Sequence, residues 1–398
     1  MKAQPAMRAR IGPMLLAGQV ALTLAIVVNA GSIASDQLNQ MLRPSGLDEP
    51  NLLSVHTLPL DGSAISPAQS NADLAALRAL PGVASASRVN ALPLGEEGWR
   101  TGVGAKPLGA SGPAVHTALY YGDQTLPPAF GVALAEGRSL VEADVGDIDS
   151  TLHGAVTTAL ISRSLAAILF PGESPIGKQV YSRINPPLTI VGMVDRLQSA
   201  WPRNDMHENS LLIAARIHLP EAFYLIRTQP GTRDNVAARV APTLLAVNPS
   251  RILDPVRSYG EIRADGYRGQ RTVVTVLGGL IGALLFITAL GIGGTAAFWV
   301  ASRVQQIGTR RALGASRGDI LQHFMRENFL ITSGGVAIGG LLAIGLNRWL
   351  IAHYAVAPLG WYFLPAGVLL LYALGQAAVL GPALRAAAVP PAVATRGA

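Results

Sequence analysis

Four long apolar segments constrain the fold of this chain more than any other feature of its sequence. Each holds roughly 20 or more mainly apolar residues without an acidic side chain, which is enough for a helix to cross the ~30 Å hydrocarbon core of a bilayer. The predicted spans are 11–30, 273–300, 329–351 and 361–380. Only 14% of the residues are charged, compared with about 25% in an ordinary soluble domain. The sequence therefore predicts a membrane protein with four transmembrane helices.

The charge distribution predicts how these spans are oriented. Residues 31–272 contain 20 Arg or Lys and 22 Asp or Glu, whereas the rest of the chain contains 11 basic and 2 acidic residues. The basic residues that flank the spans are Lys2, Arg8, Arg10, Arg303, Arg310, Arg311, Arg317, Arg326, Arg385 and Arg396. By the positive-inside rule both termini and the 301–328 loop are cytoplasmic, and 31–272 is extracytoplasmic. The basic residues thus face a lipid membrane, and no nucleic-acid partner is predicted.

The first span has two interpretations. A basic start, an apolar run and Val28-x-Ala30 resemble a secretory signal with its cleavage site. The run is longer than the roughly 7–15 residues of a signal core, and its removal would leave an odd number of spans. We therefore favour a retained anchor over 1–30.

The region between the first two spans predicts an α+β domain. A strand, a helix capped by Ser70 or Asn71, and a second strand follow residue 50, and a second strand–helix–strand unit lies within about 222–258. Two β-α-β units on either side of an insertion, roughly 92–200, indicate a split, ferredoxin-like subdomain with a smaller β-rich one inserted. The chain has no cysteine, so disulfides and thiolate metal sites are excluded.

The predicted cytoplasmic loop, 301–328, contains two helix signals. The second helix is expected to continue to about Leu313, where Gly314 offers a C-cap turn, and Ser316-x-x-Asp319 is a capping arrangement for a new helix. That new helix carries an apolar stripe formed by Ile320, Leu321, Phe324 and Phe329. One interpretation is an amphipathic helix lying on anionic lipid. The other is a rigid elbow that docks a cytoplasmic partner.

Small residues recur within the spans at a spacing that lets helix backbones approach closely. They are Gly278-x-x-x-Gly282 in the second span and Gly335-x-x-x-Gly339 in the third. We expect these four glycines to pack helices, with a dimer as one use. No Asp, Glu or Lys lies within a span, which argues against an ion or proton pathway through the bilayer.

Several motifs in the sequence imitate catalytic sites. Gly172-x-x-x-x-Gly177-Lys178 is nearly a P-loop, but Gln179 replaces the Mg²⁺-binding Ser or Thr, a helix pattern precedes it and a strand pattern follows it. Gly314-Ala-Ser316-Arg-Gly318 fits the nucleophile-elbow motif G-x-S-x-G in a helix-to-helix setting, where that motif needs a strand-to-helix turn. We predict no catalytic constellation, no metal site and no enzyme activity in this chain.

The segment "RVQQIGTRRALGASRGDILQHFMRENFL" resembles the cytoplasmic loop of the MacB/FtsX-like permeases of ABC transporters, the mechanotransmission or type VII class. "FGVALAEGRSLVEADVG", "ALISRSLAAILFPGESPIGKQV" and "LTIVGMVDRLQ" resemble the periplasmic core domain of the same family. The order of one span, a large external domain and three spans also matches, as does the tail at 381–398.

The resemblance implies a four-helix membrane protein whose external domain has Porter-like and Sabre subdomains. It implies a dimer with a second copy or a paralogue, in a bacterial inner membrane. It also implies a separate cytoplasmic ABC ATPase dimer that binds the ATP and Mg²⁺, so that no cofactor is expected in this chain. The residues that match or flank the ATPase-coupling pattern are Gln306, Ile307, Gly308, Arg310, Arg311, Leu313, Gly314, Ala315, Arg317, Ile320 and Glu327. Gln306 departs from the acidic residue that relatives commonly have there.

Three functions follow from these observations. The first is a permease subunit that drives export or extraction of a substrate, with a periplasmic adaptor as a candidate partner. The second is a signalling permease that activates a periplasmic cell-wall hydrolase or a sensor. The third, a membrane-anchored external enzyme, is disfavoured because no catalytic set is present. A hydrolase regulator is expected to have a smaller external domain, which favours transport.

Overall fold

The computed structural model describes residues 4–95, 97–107, 114–148, 156–201, 207–354 and 356–388, and side chains from residue 12 onward. The predicted flanking residues Lys2 and Arg396, and the tail beyond 388, lie outside what it describes, and only the backbone of Arg8 and Arg10 is described. The chain divides into a helical unit, Met1–Met41 with Gln270–Ala398, and an external unit, Leu42–Gly269.

The described residues form ten α-helices and thirteen β-strands. The helices are α1 (Gln4–Met41), α2 (Pro67–Arg78), α3 (Leu126–Phe130), α4 (Arg163–Leu169), α5 (Arg233–Val247), α6 (Tyr259–Gly266), α7 (Arg268–Ser302), α8 (Val304–Ala312), α9 (Arg317–Tyr354) and α10 (Phe363–Ala387). The strands are β1 (Leu52–Pro59), β2 (Val83–Val89), β3 (Trp99–Gly104), β4 (Val115–Gly122), β5 (Leu134–Gly137), β6 (Gly146–Ile148), β7 (Thr158–Ser162), β8 (Gln179–Ser182), β9 (Leu188–Val194), β10 (Ser210–Ile217), β11 (Ala222–Thr228), β12 (Arg251–Leu253) and β13 (Arg257–Ser258).

The first and last parts of the external unit form one ferredoxin-like subdomain. Its antiparallel sheet has the order β12-β1-β11-β2, so the two predicted β-α-β units interleave their strands. Alternate residues of β1 and β11 point to the face covered by α2 and α5. The buried apolar side chains on that face are Leu53, Val55, Tyr224, Ile226, Leu74, Leu77, Val236, Val240 and Leu244.

The start of α2 differs from the prediction. The N-cap is Ser66, whose side chain accepts a hydrogen bond from the Gln69 N–H at 3.1 Å, and Pro67 occupies the first helical position. Ser70 and Asn71, the predicted caps, lie inside the helix. The proline explains the difference, because its fixed φ suits the first turn of a helix and its missing N–H costs nothing there.

A buried ion pair joins α2 to β12 within this subdomain. Asp73 and Arg251 form two hydrogen bonds of 2.8 and 2.9 Å, and both side chains are almost completely buried. The Tyr224 hydroxyl donates a further hydrogen bond of 2.7 Å to Asp73. Because each charge is desolvated, loss of one partner would leave the other unpaired, which typically costs about 3–5 kcal/mol.

The inserted subdomain is a closed barrel. Its strands follow the order β4-β3-β8-β9-β7-β10, and β10 pairs back to β4, which closes the ring. The predicted insertion boundary at residue 200 is therefore wrong, because β10, at Ser210–Ile217, hydrogen-bonds to barrel strands on both of its edges. Residues 211–215 of this strand are an apolar run buried on both faces, so the strand has no alternation that would mark it in the sequence.

The near P-loop forms a tight turn in the barrel between α4 and β8. Gly172 and Gly177 have φ values of +75° and +79°, which glycine adopts without strain. The Lys178 ammonium pairs with the Glu173 carboxylate and lies 4.9 Å from the centre of the Phe170 ring. A helix precedes the turn and a strand follows it, as predicted, whereas a P-loop needs a strand before it and a helix after it. Lys178 therefore makes structural contacts within the turn and is not placed to bind a phosphate.

In the helical unit, four helices are long and apolar enough to span a membrane: α1 from Gly12, α7, α9 and α10. Helix α9 packs along α1 and α10, and the shared core includes Leu16, Val20, Leu24, Val28, Ala343 and Leu371. Only the second half of α7 contributes to this core, through Ile292 and Ala296. A hydrogen bond of 2.8 Å between the Thr23 and Thr288 hydroxyls fixes that half to α1.

Candidate coupling elbow

The loop predicted to meet a partner folds as a helix, a turn and the start of a second long helix, residues 303–328, here called the elbow. The chain stays helical to Ala312, close to the predicted end at about Leu313, but the helix is interrupted at one residue. The helix stops at Ser302, and Arg303, with φ −116° and ψ 15°, separates α7 from α8. The elbow therefore has its own short helix, and its direction is set at Arg303.

The turn after α8 is fixed by backbone hydrogen bonds. Gly314 has φ +102°, its N–H bonds to the Arg311 carbonyl at 3.2 Å, and the Ala315 N–H bonds to the Arg310 carbonyl at 3.0 Å. These two bonds form a Schellman motif, which satisfies the last carbonyls of a helix. The predicted glycine C-cap is thereby confirmed.

The next helix begins with a reciprocal cap. The Ser316 hydroxyl accepts from the Asp319 N–H at 3.1 Å, and the Asp319 carboxylate accepts from the Ser316 N–H at 2.9 Å. This capping box confirms the predicted start of α9. The Ser316 hydroxyl also donates to Asp319, and the turn joins two helices, so the site lacks the strand-to-helix geometry of a nucleophile elbow.

One face of the elbow is buried against the end of α10. Ile307, Ile320 and Phe324 are each about 5% exposed or less. They belong to the same apolar core as three small residues of α10, Ala383, Ala386 and Ala387. Because these side chains share one apolar core, the elbow and the end of α10 form one packed body.

Two polar contacts reinforce this packing. Arg303 pairs with Glu327 at 3.1 Å, which joins the break after α7 to α9. The Arg311 guanidinium donates to the carbonyl of Ala387 at 3.2 Å, at the C-terminal end of α10 where carbonyls lack helical partners. Arg311 and Glu327, both predicted to face an ATPase, thus hold the elbow together.

The opposite face of the elbow is exposed. Leu313 is 83% exposed at the tip of the turn, which is unusual for a leucine whose backbone is held this firmly. The other predicted residues on this face are Gln306, Arg310, Gly314 and Arg317, and Ala315 is half-buried beside them. The eleven predicted residues therefore divide into an exposed, basic face around Leu313 and an internal set that includes Ile307, Gly308, Arg311, Ile320 and Glu327.

The residues that brace the elbow were not predicted from the sequence. Arg303 was assigned only to the flanking charge, and Ala383, Ala386 and Ala387 fell in the predicted tail, whereas α10 continues through Ala387. Their spacing of three and four residues is the signal that could have indicated a packed helix face. Within the described residues, no group of three His, Asp or Glu side chains converges to hold a metal ion.

The helical unit, the two-part external unit and the elbow define a class of membrane permease, and comparison with known proteins assigns its family. The model of the MacB-like periplasmic core domain matches residues 17–244, and that of the FtsX-like permease C-terminal region matches residues 278–391. The chain belongs to the MacB/FtsX-type permeases of ABC transporters. It is a membrane protein with a periplasmic core domain.

Three curated relatives are each 26% identical to the chain. They are the uncharacterized ABC transporter permease YknZ of Bacillus subtilis, the macrolide export ATP-binding/permease protein MacB of Marinobacter nauticus, and the pyoverdine export ATP-binding/permease protein PvdT of Pseudomonas aeruginosa. The matches cover 60, 50 and 69% of this chain. They cover 61, 32 and 41% of the relatives, so the chain spans less than two thirds of each.

Solved structures of two external regions are also similar to the chain. The extracellular domain of YknZ is 13% identical, with a TM-score of 0.35 over 51% of this chain and all of that structure. The periplasmic region of MacB from Actinobacillus actinomycetemcomitans is 14% identical, with a TM-score of 0.35 over 56% of this chain and 96% of that structure.

Proposed function

We propose that this chain is the membrane subunit of an ABC exporter, which couples ATP hydrolysis by a separate cytoplasmic ATPase to conformational change in its periplasmic domain. The ATPase binds the ATP and Mg²⁺, and this chain supplies no catalytic residue. The observation that carries the proposal is the exposed face of the elbow. Relatives named for macrolide and pyoverdine export support transport as the outcome rather than signalling.

The chemistry of the elbow suits a protein partner. An exposed Leu313 lies between the exposed cations Arg310 and Arg317, which fits a partner with an apolar recess and an acidic rim. The turn that carries Leu313 is fixed by its Schellman motif and capping box, so little conformational freedom is lost on docking. Force applied at Leu313 would pass into α8, α9 and α10 together, because they share one core.

The arginines of the elbow also indicate how the chain is oriented in the membrane. Arg310, Arg311 and Arg317 cluster in the elbow, and the positive-inside rule assigns such a cluster to the cytoplasm. The elbow then faces the compartment that contains ATP, in the inner membrane of a bacterium. Residues 31–272 lie in the periplasm, where a substrate or an adaptor protein can meet them.

The first half of α7 offers a surface on which a second copy of the chain can pack. Gly278 and Gly282 have no atom of the described chain within 4 Å of where a Cβ would lie, and the helix around them is exposed. Two copies can therefore approach along this GxxxG face. We propose a dimer that brings two elbows to one ATPase dimer.

Charge reversal at the exposed elbow tests the proposal. In Arg310→Glu with Arg317→Glu, we expect at least tenfold less ATPase subunit to co-purify with the full-length permease, because two complementary contacts become repulsive. The matched control is Arg239→Glu, an exposed arginine of α5 in the external unit, which should leave recovery unchanged. Equal recovery in all variants, or a wild type that captures no ATP-hydrolysing subunit, would contradict it.

A further inference from the structure

The ferredoxin-like sheet has a second face, which α2 and α5 do not cover. On β1, Ser54 and His56 alternate with the buried Leu53 and Val55, and so they point to this second face. Phe223 on β11 is directly opposite His56 in the strand register. The two rings stack with centroids 4.5 Å apart and an interplanar angle of 27°. The sheet therefore offers a flat aromatic surface beside β12.

A cavity of about 310 Å³ lies over this surface. Its other walls are Leu92, from the linker between the two subdomains, and Ile262, from α6, and both side chains are buried. This volume is at the small end of the range for sites that enclose organic ligands. The cavity combines an aromatic floor, aliphatic walls and an open polar side, which is the usual composition of such sites.

The walls are held firmly in place. The Tyr259 hydroxyl at the start of α6 donates to the Pro93 carbonyl at 2.7 Å. At the other end of α6, a Cβ on Gly266 would lie 2.4 Å from the Leu94 carbonyl oxygen, so only glycine permits this approach. Leu94 is itself fully buried with φ +61°, a conformation that costs a non-glycine residue energy. These contacts fix the linker and α6 in position around the cavity.

The charges around the cavity favour a cation. Glu97 and Asp254 line it, and the Glu221 carboxylate is 3.5 Å from His56 Nε2. The basic side chains that line it are His56, which bonds to Asp254 through Nδ1 at 2.9 Å, and Arg257. His56 Nε2 is buried and makes no hydrogen bond to any described residue.

The positive charge of Arg257 is already balanced, because Arg257 pairs with Asp265, which does not line the cavity. The hydrogen bond that Arg268 donates, with the positive charge of Arg257 in addition, lowers the pKa of Asp265 and keeps its carboxylate ionised. Among the described residues no cation pairs with Glu97, and its side chain is exposed. A ligand that enters therefore meets more negative than positive charge.

We propose that this cavity is a binding site for a small organic cation with an aromatic or aliphatic body. The body stacks on Phe223 and His56 between Leu92 and Ile262, and the cationic group faces Glu97 and Asp254. The site lies where ligand binding can be communicated, because Ile262 belongs to α6, and α7 begins two residues after α6 ends. This proposal goes beyond the proposed function and does not require the ATPase.

Binding of benzyltrimethylammonium to the full-length permease in nanodiscs tests the proposal, with saturation-transfer NMR as the measurement and empty nanodiscs as the background. We expect signal from this cation and none from phenylacetate, an anion of similar size. Phe223→Leu should weaken binding roughly tenfold through loss of the ring face. Glu97→Gln should weaken it severalfold, and Glu173→Gln, which removes an exposed carboxylate of the barrel, should leave it unchanged.

The outcomes separate cleanly. If Phe223→Leu fails to fold, Glu97→Gln decides, because its side chain is exposed and replacing it disturbs no core. Equal signal from the cation and the anion, or unchanged affinity in Glu97→Gln, would overturn the site. Because the measurement uses the permease alone, it can fail while ATPase capture succeeds, and the reverse is equally possible.

Discussion

The glycine pair in α9 and the glycine pair in α7 have the same spacing and different surroundings. A Cβ on Gly335 or Gly339 would lie 2.7 Å from the carbonyl oxygen of Ala17 or Ala21 in α1. A Cβ on Gly278 or Gly282 would meet no described atom within 4 Å. The first pair therefore packs α9 against α1 within the chain, whereas the second pair leaves a surface on which another molecule can pack.

The burial of whole helices shows the same contrast. In the most apolar window of α1, 56% of residues are buried inside the chain, compared with 6% for α7. Helix α7 is nevertheless mainly apolar from Val273 to Val300. A helix with so few internal contacts depends on lipid or on a second copy, and its small residues favour a second copy at Gly278 and Gly282.

The largest loss of stability is expected when a glycine of the α9 pair is replaced by a larger residue. Gly339→Leu must push α1 and α9 apart, because the new side chain would overlap the Ala21 backbone and the Leu24 side chain. We expect a loss of stability of about 3 kcal/mol, at the upper end of what overpacking costs. The amount of protein that survives thermal challenge in detergent measures it.

Gly334→Leu is the matched control for this change, since it lies in the same helix and a Cβ there meets no atom within 4 Å. It should retain the stability of the wild type. Equal stability of Gly339→Leu and Gly334→Leu would show that α1 and α9 do not approach each other as closely as described.

Replacing the glycines of the α7 pair is expected to weaken the dimer and to change the stability of the monomer little. Gly278→Leu with Gly282→Leu should leave the stability of the monomer unchanged or raise it by up to about 1 kcal/mol per residue, because leucine is the better helix former. The same change should weaken the proposed dimer about tenfold or more, because the backbones can no longer approach. Native mass spectrometry from nanodiscs measures the monomer and dimer populations.

Gly294→Leu, in the same helix and equally free of contacts, should leave those populations unchanged. If the Gly278 and Gly282 variant destabilises the monomer, this face of α7 contacts its own chain. If the variant leaves the dimer intact, the second copy binds elsewhere.

The sequence predicts much of this fold because the decisive signals are local. Each apolar segment is long enough to span a membrane, and the β-α-β units carry their periodicity within a few residues. Gly314 and the Ser316–Asp319 pair were identified correctly because capping depends on neighbours in the chain. The two glycine pairs show the limit: the spacing is visible in the sequence, and the identity of the partner is not.

The parts that were missed depend on distant contacts. Strand β10 closes the barrel by pairing with β4, and the paired residues, such as Ser210 and Ala118, are 92 positions apart in the chain. A boundary drawn from local pattern therefore fell short. Arg311 was expected to face a partner, but the end of α10 accepts its hydrogen bond. Exposure divides the elbow residues into two sets, and exposure is a property of the whole packed unit.

The most direct test of the central claim uses the absence of cysteine from the chain. A single cysteine at Leu313, 83% exposed at the tip of the elbow, can be cross-linked in the assembled complex without further changes. Leu313→Cys should form a cross-link to the ATPase subunit, and Leu60→Cys, 65% exposed in the external unit, should form none. Absence of the cross-link from Leu313→Cys, or its appearance with Leu60→Cys, would contradict the claim that the elbow meets the ATPase.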